Sequence, residues 1–506
     1  MTNHLFDGLF GHYNPDALLA ILPDGRRYSY QGAVETSARF ANLLTDYGIQ
    51  KGDRVAVQVP KSIEAALLYI GCVRAGAIFL PLNTAYTASE IAYFLEDAAP
   101  ALFVCDPDKA EEMKAITDGL NIRLETMGVL QADMPEAGSL IHDAKSASTD
   151  FTNIDCAGDD LAAILYTSGT TGRSKGAMLS HANLLSNSTS LKDLWQFTSD
   201  DVLLHALPIF HTHGLFVAIN VVLASGASMI FLSGFKQDEI IKYLPSSTSM
   251  MGVPTFYTRL LSDERFTKDL VSHMRLFISG SAPLLAETHI QFEELTGQKI
   301  LERYGMTETN MNTSNPYDGE RRAGTVGFPL PGVSVKICHP ETGDELADGE
   351  IGILEVKGPN VFSGYWNMPE KTAEELRENG FFITGDLAKK DEDGYIHIVG
   401  RSKDLIISGG YNIYPKEVEL ALDEEDNIVE SAVIGVPHSD FGEAVVAVVV
   451  CHDKAFDPSI AMQNIKSKLA RYKQPKQIIV VETLPRNTMG KVQKNILRDS
   501  YSHLFA

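Results

Sequence analysis

The sequence predicts an α/β protein with a large N-terminal part of two doubly wound layers, a small β-barrel-like unit, and then a smaller α+β lid of about 100 residues. Three observations predict it. Strands and helices alternate through the first two-thirds, Gly- and Pro-punctuated strands take over after about Gly319, and helices return beyond Gly400. At 506 residues and 44% hydrophobic content the chain exceeds one core, and it divides into domains at 1–400 and 401–506.

The elements follow in order. "DRVAVQV" is a strand, Ser62 caps a helix running to Arg74, Gly76 ends it, and "AIFLPL" resumes extended structure. Thr87 with Glu90 makes a capping box before "IAYFLEDA", and "ALFVC" returns to the sheet. "LAAILY" and "GAMLS" read as two strands joined by a loop. The uncharged run Gly214 to Phe235 is long enough to raise a membrane span, but Asn220 and "SGAS" split it into buried helix, turn and strand. A second alternation gives strand "MRLFISG", helix "LLAETHIQFEEL" and strand "KILERY". "GVSVKI", "GILEVKG" and "GYIHIVG" build the small β unit. Helix "PKEVELAL", strands "VESAVIGV" and "AVVAVVVC", a helix near "SIAMQNIKSKLARY", strand "QIIVV" and a final helix complete the chain.

Composition excludes several classes. With 66 acidic against 43 basic residues the net charge is −23, which argues against nucleic-acid or membrane partners and means that an anionic ligand needs local cations. The five cysteines are scattered without CxxC spacing, so neither a disulfide framework nor a zinc site is expected. The start "MTNHLFDGLF" has no basic region and carries Asp7, so a cytoplasmic setting is expected.

The loop "YTSGTTGRSKG", Tyr166 to Gly176, concentrates Gly, Ser and Thr between two apolar strands. Glycine lets several N–H groups turn inward and the hydroxyls add donors, a combination suited to phosphate oxygens. It does not match GxxxxGK[ST] and opens no helix, so it is not the common P-loop. Four later segments accompany it: "ERYGMTET", "FFITGDLA", "GRSKDLIISGGYNIYPKEVE" and "PRNTMGK". In this order the five resemble the acyl-adenylate-forming (acyl-CoA synthetase) superfamily over the full length. "HALPIFHTHGLF", "FISGSAPL" and "ERYGMTETNMNTSNPYDG" are most similar to its malonyl-CoA synthetase group.

The resemblance implies a two-step ligase: malonate (or methylmalonate) attacks the α-phosphorus of ATP, and the thiol of coenzyme A then displaces AMP. Two anions must meet, so N–H donors and fixed cations are the main resource. By resemblance, Thr167, Ser168, Gly169, Thr170, Thr171, Gly172 and Lys175 hold the β- and γ-phosphates. Ser281, Ala282, Glu302, Arg303, Tyr304, Gly305, Met306 and Thr307 complete the nucleotide site, with the Tyr304 ring on adenine and Thr307 at the α-phosphate. Glu308 is implied as the Mg²⁺ ligand, because a hard cation prefers carboxylate oxygen. Asp386 and Arg401 are implied at the ribose. Lys491 would bridge carboxylate and α-phosphate during adenylation from a mobile lid that swivels about Lys403, bringing Ser408, Gly409 and Gly410 to coenzyme A. A protein acyltransferase or deacylase acting on Lys491 would then switch the enzyme.

A dicarboxylic acid needs a fixed cation for its distal carboxylate, and Arg259 in "VPTFYTRLL" is the expected one, because its neighbours are apolar and it must either reach the surface or find an anion inside; Arg303 is its rival. The resemblance to the malonyl-CoA synthetase group favours Arg259 and implies Ser279, Ser281 and His211 as its hydrogen-bonding neighbours, with Met311 closing the pocket against longer chains. His205, His211 and His213 also raise a metal site, disfavoured by the lack of acidic or Cys partners nearby. The alternatives are a ligase for another short-chain acid or a non-catalytic nucleotide-binding protein, which would be expected to lose Lys491 or Glu308.

Overall fold

Strand Arg54–Gln58 feeds helix Ile63–Ala75, whose start is fixed by Ser62 Oγ accepting the Ala65 N–H at 3.1 Å and whose end is fixed by Gly76 at φ 69. Every residue of that helix is buried, so it lies inside the N-terminal core and not on its surface. Thr87 and Glu90 form the expected capping box at the start of Ala88–Ala98. The computed structural model describes residues 2–11, 13–130, 137–167, 174–408, 411–438, 441–453, 456–487 and 490–505.

Two sheets make the first compact unit, Met1–Val335 with Val356–Phe382. One has six strands in the order Arg123–Thr126, Leu102–Cys105, Arg54–Gln58, Ile78–Pro81, Leu161–Thr167, Lys175–Ser180. It is parallel until its last pair, where Thr167 stands opposite Lys175 in an antiparallel ladder. The other has nine strands. Its parallel centre runs Leu301–Met306, Leu276–Ser279, Ser249–Gly252, Val202–His205, Ser228–Phe231, Leu18–Ile21. The uncharged run becomes a buried π-helix His213–Ile219, helix Asn220–Ser225, a turn at Gly226 and strand Ser228–Phe231. Among the described residues no helix is long and apolar enough to cross a membrane.

A buried ion pair locks the second sheet. Arg275 Nε and Nη2 reach the two Asp201 oxygens at 2.6 and 2.7 Å, and Thr248 Oγ1 and the Thr198 N–H also donate to that carboxylate. Burial opposes the Asp201 charge, but these donors hold its pKa below the ordinary 3.8. Arg275→Met should therefore destabilise by about 2–3 kcal/mol at neutral pH, discounted because Arg275 is partly exposed. A depressed carboxylate pKa stabilises above the unfolded value and ceases to do so as pH falls through the folded one. Melting curves should show the gap between parent and variant closing below the ordinary value of 3.8.

The second unit comprises Lys336–Glu355 and Ile383–Ala506. A four-stranded sheet runs Ser334–Cys338, Gly352–Lys357, Phe382–Lys390, Ile396–Arg401, and a further sheet is built on the long antiparallel pair Ile428–His438 and Gly442–Cys451. This grouping does not follow a division at 400/401. Strand Ile396–Arg401 contacts helix Pro415–Asp423, so the small β unit groups with the C-terminal residues. The helix expected near 459–472 is shorter, Pro458–Asn464 continuing as a 3₁₀ turn Ile465–Ser467.

Candidate active site

The parallel strands of the second sheet end together. The ladder aligns His205 with Met251, Gly252 with Ser279, and Ser279 with Glu302, so the residues that follow converge at the carboxyl ends where open α/β sheets bind ligands. Ser281 holds φ 70, a left-handed conformation uncommon outside glycine, and its Oγ lies 3.1 Å from His213 Nδ1. Leu301–Met306 and Asn310–Ser314 form an antiparallel hairpin whose turn is Thr307, Glu308 and Thr309. Met311 is buried on the return strand, opposite Gly305.

Arg303 is the outstanding charge here. It is 4% exposed, and among the described residues neither Nε nor Nη2 has a hydrogen-bond partner. Burial pulls its pKa down to about 9. Its guanidinium lies against Gly280, where a Cβ would stand 2.2 Å from Arg303 Cζ. Ser279 Oγ and His213 Nε2 are likewise buried without a partner among the described residues. A buried cation beside unsatisfied donors is costly in isolation and is balanced by an anion.

The three histidines are separately engaged. His205 accepts from Lys61 Nζ at Nδ1, 3.0 Å, and donates from Nε2 to the Gly214 carbonyl, 2.8 Å, which fixes one neutral tautomer. Burial and then the Lys61 charge push its pKa well down. Burial and then the Arg303 charge do the same to His213, whose backbone N–H donates to His211 Nδ1 at 3.3 Å. Glu302 is tied to His289 Nδ1 at 3.1 Å and to the Gly324 N–H at 3.3 Å, and burial raises its pKa. Arg259 lies on helix Pro254–Leu261 and is exposed, its guanidinium 5.7 Å from the Phe235 ring centre. Of the two outcomes open to it, Arg259 takes the surface, and Arg303 is the arginine that is buried and unpaired.

A second cluster forms at the hairpin of the first sheet. Lys175 Nζ lies 3.0 Å from Tyr365 Oη and 3.2 and 3.1 Å from the two Glu375 oxygens. Tyr365 Oη is also 3.0 Å from Glu308 Oε1 and 2.6 Å from Glu375 Oε2. Thr167 pairs with Lys175; Ser168, Gly169, Thr170, Thr171 and Gly172 lie outside the described residues. Tyr304, Met306 and Thr307 are partly buried, as is Ala282.

In the second unit, Arg401 Nε meets Asp386 Oδ1 at 3.0 Å across a register pair. Lys403 sits in the single turn Ser402–Asp404. Ser408 is buried at a strand end, while Gly409 and Gly410 lie outside the described residues. Lys491 is exposed, with Asn487 Oδ1 accepting its N–H at 3.0 Å and Gly490 at φ 76 before it.

Sequence reasoning missed Lys61, Tyr365 and Glu375. The first had a signal, a lysine within an apolar stretch. The others had none, because Tyr365 and Glu375 reach Lys175 from 190 and 200 residues away.

The AMP-binding enzyme family profile matches residues 11–366. The chain belongs to the AMP-binding enzyme family. The profile of the AMP-binding enzyme C-terminal domain matches residues 417–491. Among family members the chain is 35% identical over 561 residues to a malonate–CoA ligase of Arabidopsis thaliana, covering 99% of this chain and 91% of that protein. It is 57% identical to ATP-bound MatB from Rhodopseudomonas palustris, with both chains fully covered and a TM-score of 0.97. A benzoate CoA ligase from Burkholderia xenovorans LB400 is 25% identical, with 98% of this chain and 100% of that chain covered and a TM-score of 0.87.

Proposed function

We propose that this AMP-binding enzyme is an AMP-forming acid–CoA ligase whose acid is malonate, with methylmalonate as a second substrate. The malonate carboxylate attacks the α-phosphorus of ATP and pyrophosphate leaves; the coenzyme A thiol then attacks the acyl carbon and AMP leaves. The observation that carries the choice of acid is Arg303, a buried guanidinium with two unpartnered nitrogens at the strand ends. A neutral acyl tail would leave that cation alone, whereas a second carboxylate completes it. Ser279, Ser281, His211 and neutral His213 supply the surrounding polar groups, Met311 bounds the pocket, and Arg259 is the second arginine to test.

For the nucleotide, Lys175 and the loop before it take the β- and γ-phosphates, Tyr304 and Thr307 the adenine and α-phosphate, and Asp386 with Arg401 the ribose. Glu308 suits Mg²⁺ because its carboxylate offers hard oxygen donors beside the phosphate lysine; the ion would offset phosphate charge. Lys491 acts in adenylation, Lys403 is the swivel, and Ser408 with its glycines serves coenzyme A. Acylation of Lys491 by a protein acyltransferase, reversed by a deacylase, would remove the charge that adenylation needs. A cytoplasmic setting fits the five free cysteines.

The test is AMP release in the presence of coenzyme A across acetate, malonate, methylmalonate and succinate. Malonate should exceed acetate by about a hundredfold or more in kcat/KM, because a site built for a polar group rejects the analogue lacking it. Equal turnover of acetate would overturn the choice of acid. Gly280→Ala gives a finer check. The new Cβ displaces the Arg303 guanidinium, so kcat/KM for malonate should fall by about tenfold to a hundredfold while KM for ATP holds within about twofold.

A further inference from the structure

The Lys175 ammonium is already satisfied by protein groups. Both Glu375 oxygens and Tyr365 Oη surround it, and its side chain is only 16% exposed. Tyr365 cannot give way, because its segment is laced into the sheet by backbone bonds: the Trp366, Ser363 and Phe362 N–H groups donate to the carbonyls of Gly176 at 2.7 Å, Met178 at 2.9 Å and Glu308 at 2.8 Å. Glu375 is different. It is the last residue of helix Pro369–Glu375, where the helix dipole disfavours a negative charge. Burial also works against it, yet Tyr365, Lys371 and Lys175 together hold its pKa below the ordinary carboxylate range. A carboxylate kept ionised at an unfavourable helix end, gripping the lysine that would meet phosphate, occupies the place of an anion.

We infer that Glu375 is a positioning residue that stands in for the nucleotide's phosphates at Lys175, holding the ammonium against Tyr365 and yielding it when ATP binds. The inference rests on the adenylating reading of this site. The Tyr365 hydroxyl has one proton to share between Glu375 and Glu308, so transfer of Lys175 to phosphate changes which carboxylate it supports. The exchange ties the phosphate side of the site to the side proposed for the cation. Glu375 is thus a competitor for Lys175 in the free enzyme and a means of discharging pyrophosphate after reaction.

Two substitutions should move ATP affinity in opposite directions, which a merely structural role would not do. Glu375→Gln keeps the shape and removes the competing charge, so the Kd of Mg·ATP, measured by calorimetry on the full chain without carboxylic acid, should fall about three- to tenfold. Its kcat should fall as pyrophosphate leaves more slowly, and Glu375→Asp should restore parental behaviour in part. Lys371 Nζ is 3.0 Å from Glu375 Oε1, so Lys371→Ala leaves Glu375 to Lys175 and should raise Kd about twofold to threefold. A parent enzyme that binds no ATP removes the underlying reading. A parent that binds ATP while Glu375→Gln binds it equally or more weakly overturns this inference alone. Melting temperatures close to the parent's keep the comparison one of binding, and if Glu375→Gln melts early the Lys371→Ala arm decides by its sign.

Discussion

Lys491→Ala should abolish carboxylate-dependent pyrophosphate exchange, by about a hundredfold to a thousandfold or more, while a supplied malonyl-adenylate is still converted to the thioester near the parental rate. The first half-reaction brings a carboxylate against a polyphosphate, and a cation placed between them stabilises charge that builds only in the transition state. The second half-reaction has no such encounter, since the thiol attacks an acyl carbon already joined to AMP in a mixed anhydride. The Asn487 N–H donates to the Lys491 carbonyl at 2.9 Å, and Arg486 is paired with Glu430. The Lys491 side chain is exposed, so the truncation should leave the melting temperature where it was. Measuring pyrophosphate exchange and thioester formation separately is the test. Equal loss in both half-reactions would remove Lys491 from its proposed role and would remove the acylation switch with it.

The parts of the fold that rest on local chemistry were legible. Ser62 and Gly76 bracket their helix as side-chain cap and left-handed glycine, and Thr87 with Glu90 caps the start of the next. "SGAS" marks the turn that divides the uncharged run, whereas Asn220 breaks nothing and sits buried where the π-helix passes into helix Asn220–Ser225. What was not legible is pairing at a distance. Leu18–Ile21 joins the second sheet beside Ser228–Phe231, a parallel pairing that no neighbouring residue specifies. The same limit governs the site. Arg303 was visible as a candidate, but its burial against Gly280 depends on strands Leu276–Ser279 and Leu301–Met306 running side by side. Arg259 had the more persuasive local context and lies exposed, because the apolar neighbours Phe256, Tyr257 and Leu260 occupy the buried face of its short helix. Tyr365 and Glu375 reach Lys175 only through the alignment of a segment with strand Lys175–Ser180.

Replacing Arg303 by Leu should cost about a hundredfold to several thousandfold in kcat/KM for malonate and leave the ligand-free protein as stable as before or more so. The first half follows from desolvation: a distal carboxylate brought to this depth without its guanidinium loses about 3–5 kcal/mol, at about 1.4 kcal/mol per tenfold. The second half follows from the same physics with the sign reversed. Without a carboxylate partner the guanidinium is a buried unpaired charge, its pKa drawn down to about 9 by burial, so an apolar side chain relieves a penalty that offsets the cost of the space it leaves. Acetate carries no distal carboxylate, and its weak turnover should be spared or improved. Arg259→Leu is the matched comparison. If exposed Arg259 folds in over the acid, malonate kcat/KM falls for both variants and acetate for neither; if Arg259 belongs to the surface, its loss changes malonate kcat/KM by less than about threefold. A purely structural Arg303 would show itself by malonate and acetate falling together with the melting temperature. Malonate turnover that survives Arg303→Leu and collapses with Arg259→Leu would transfer the distal carboxylate to Arg259, leaving the ligase chemistry intact and the burial argument wrong.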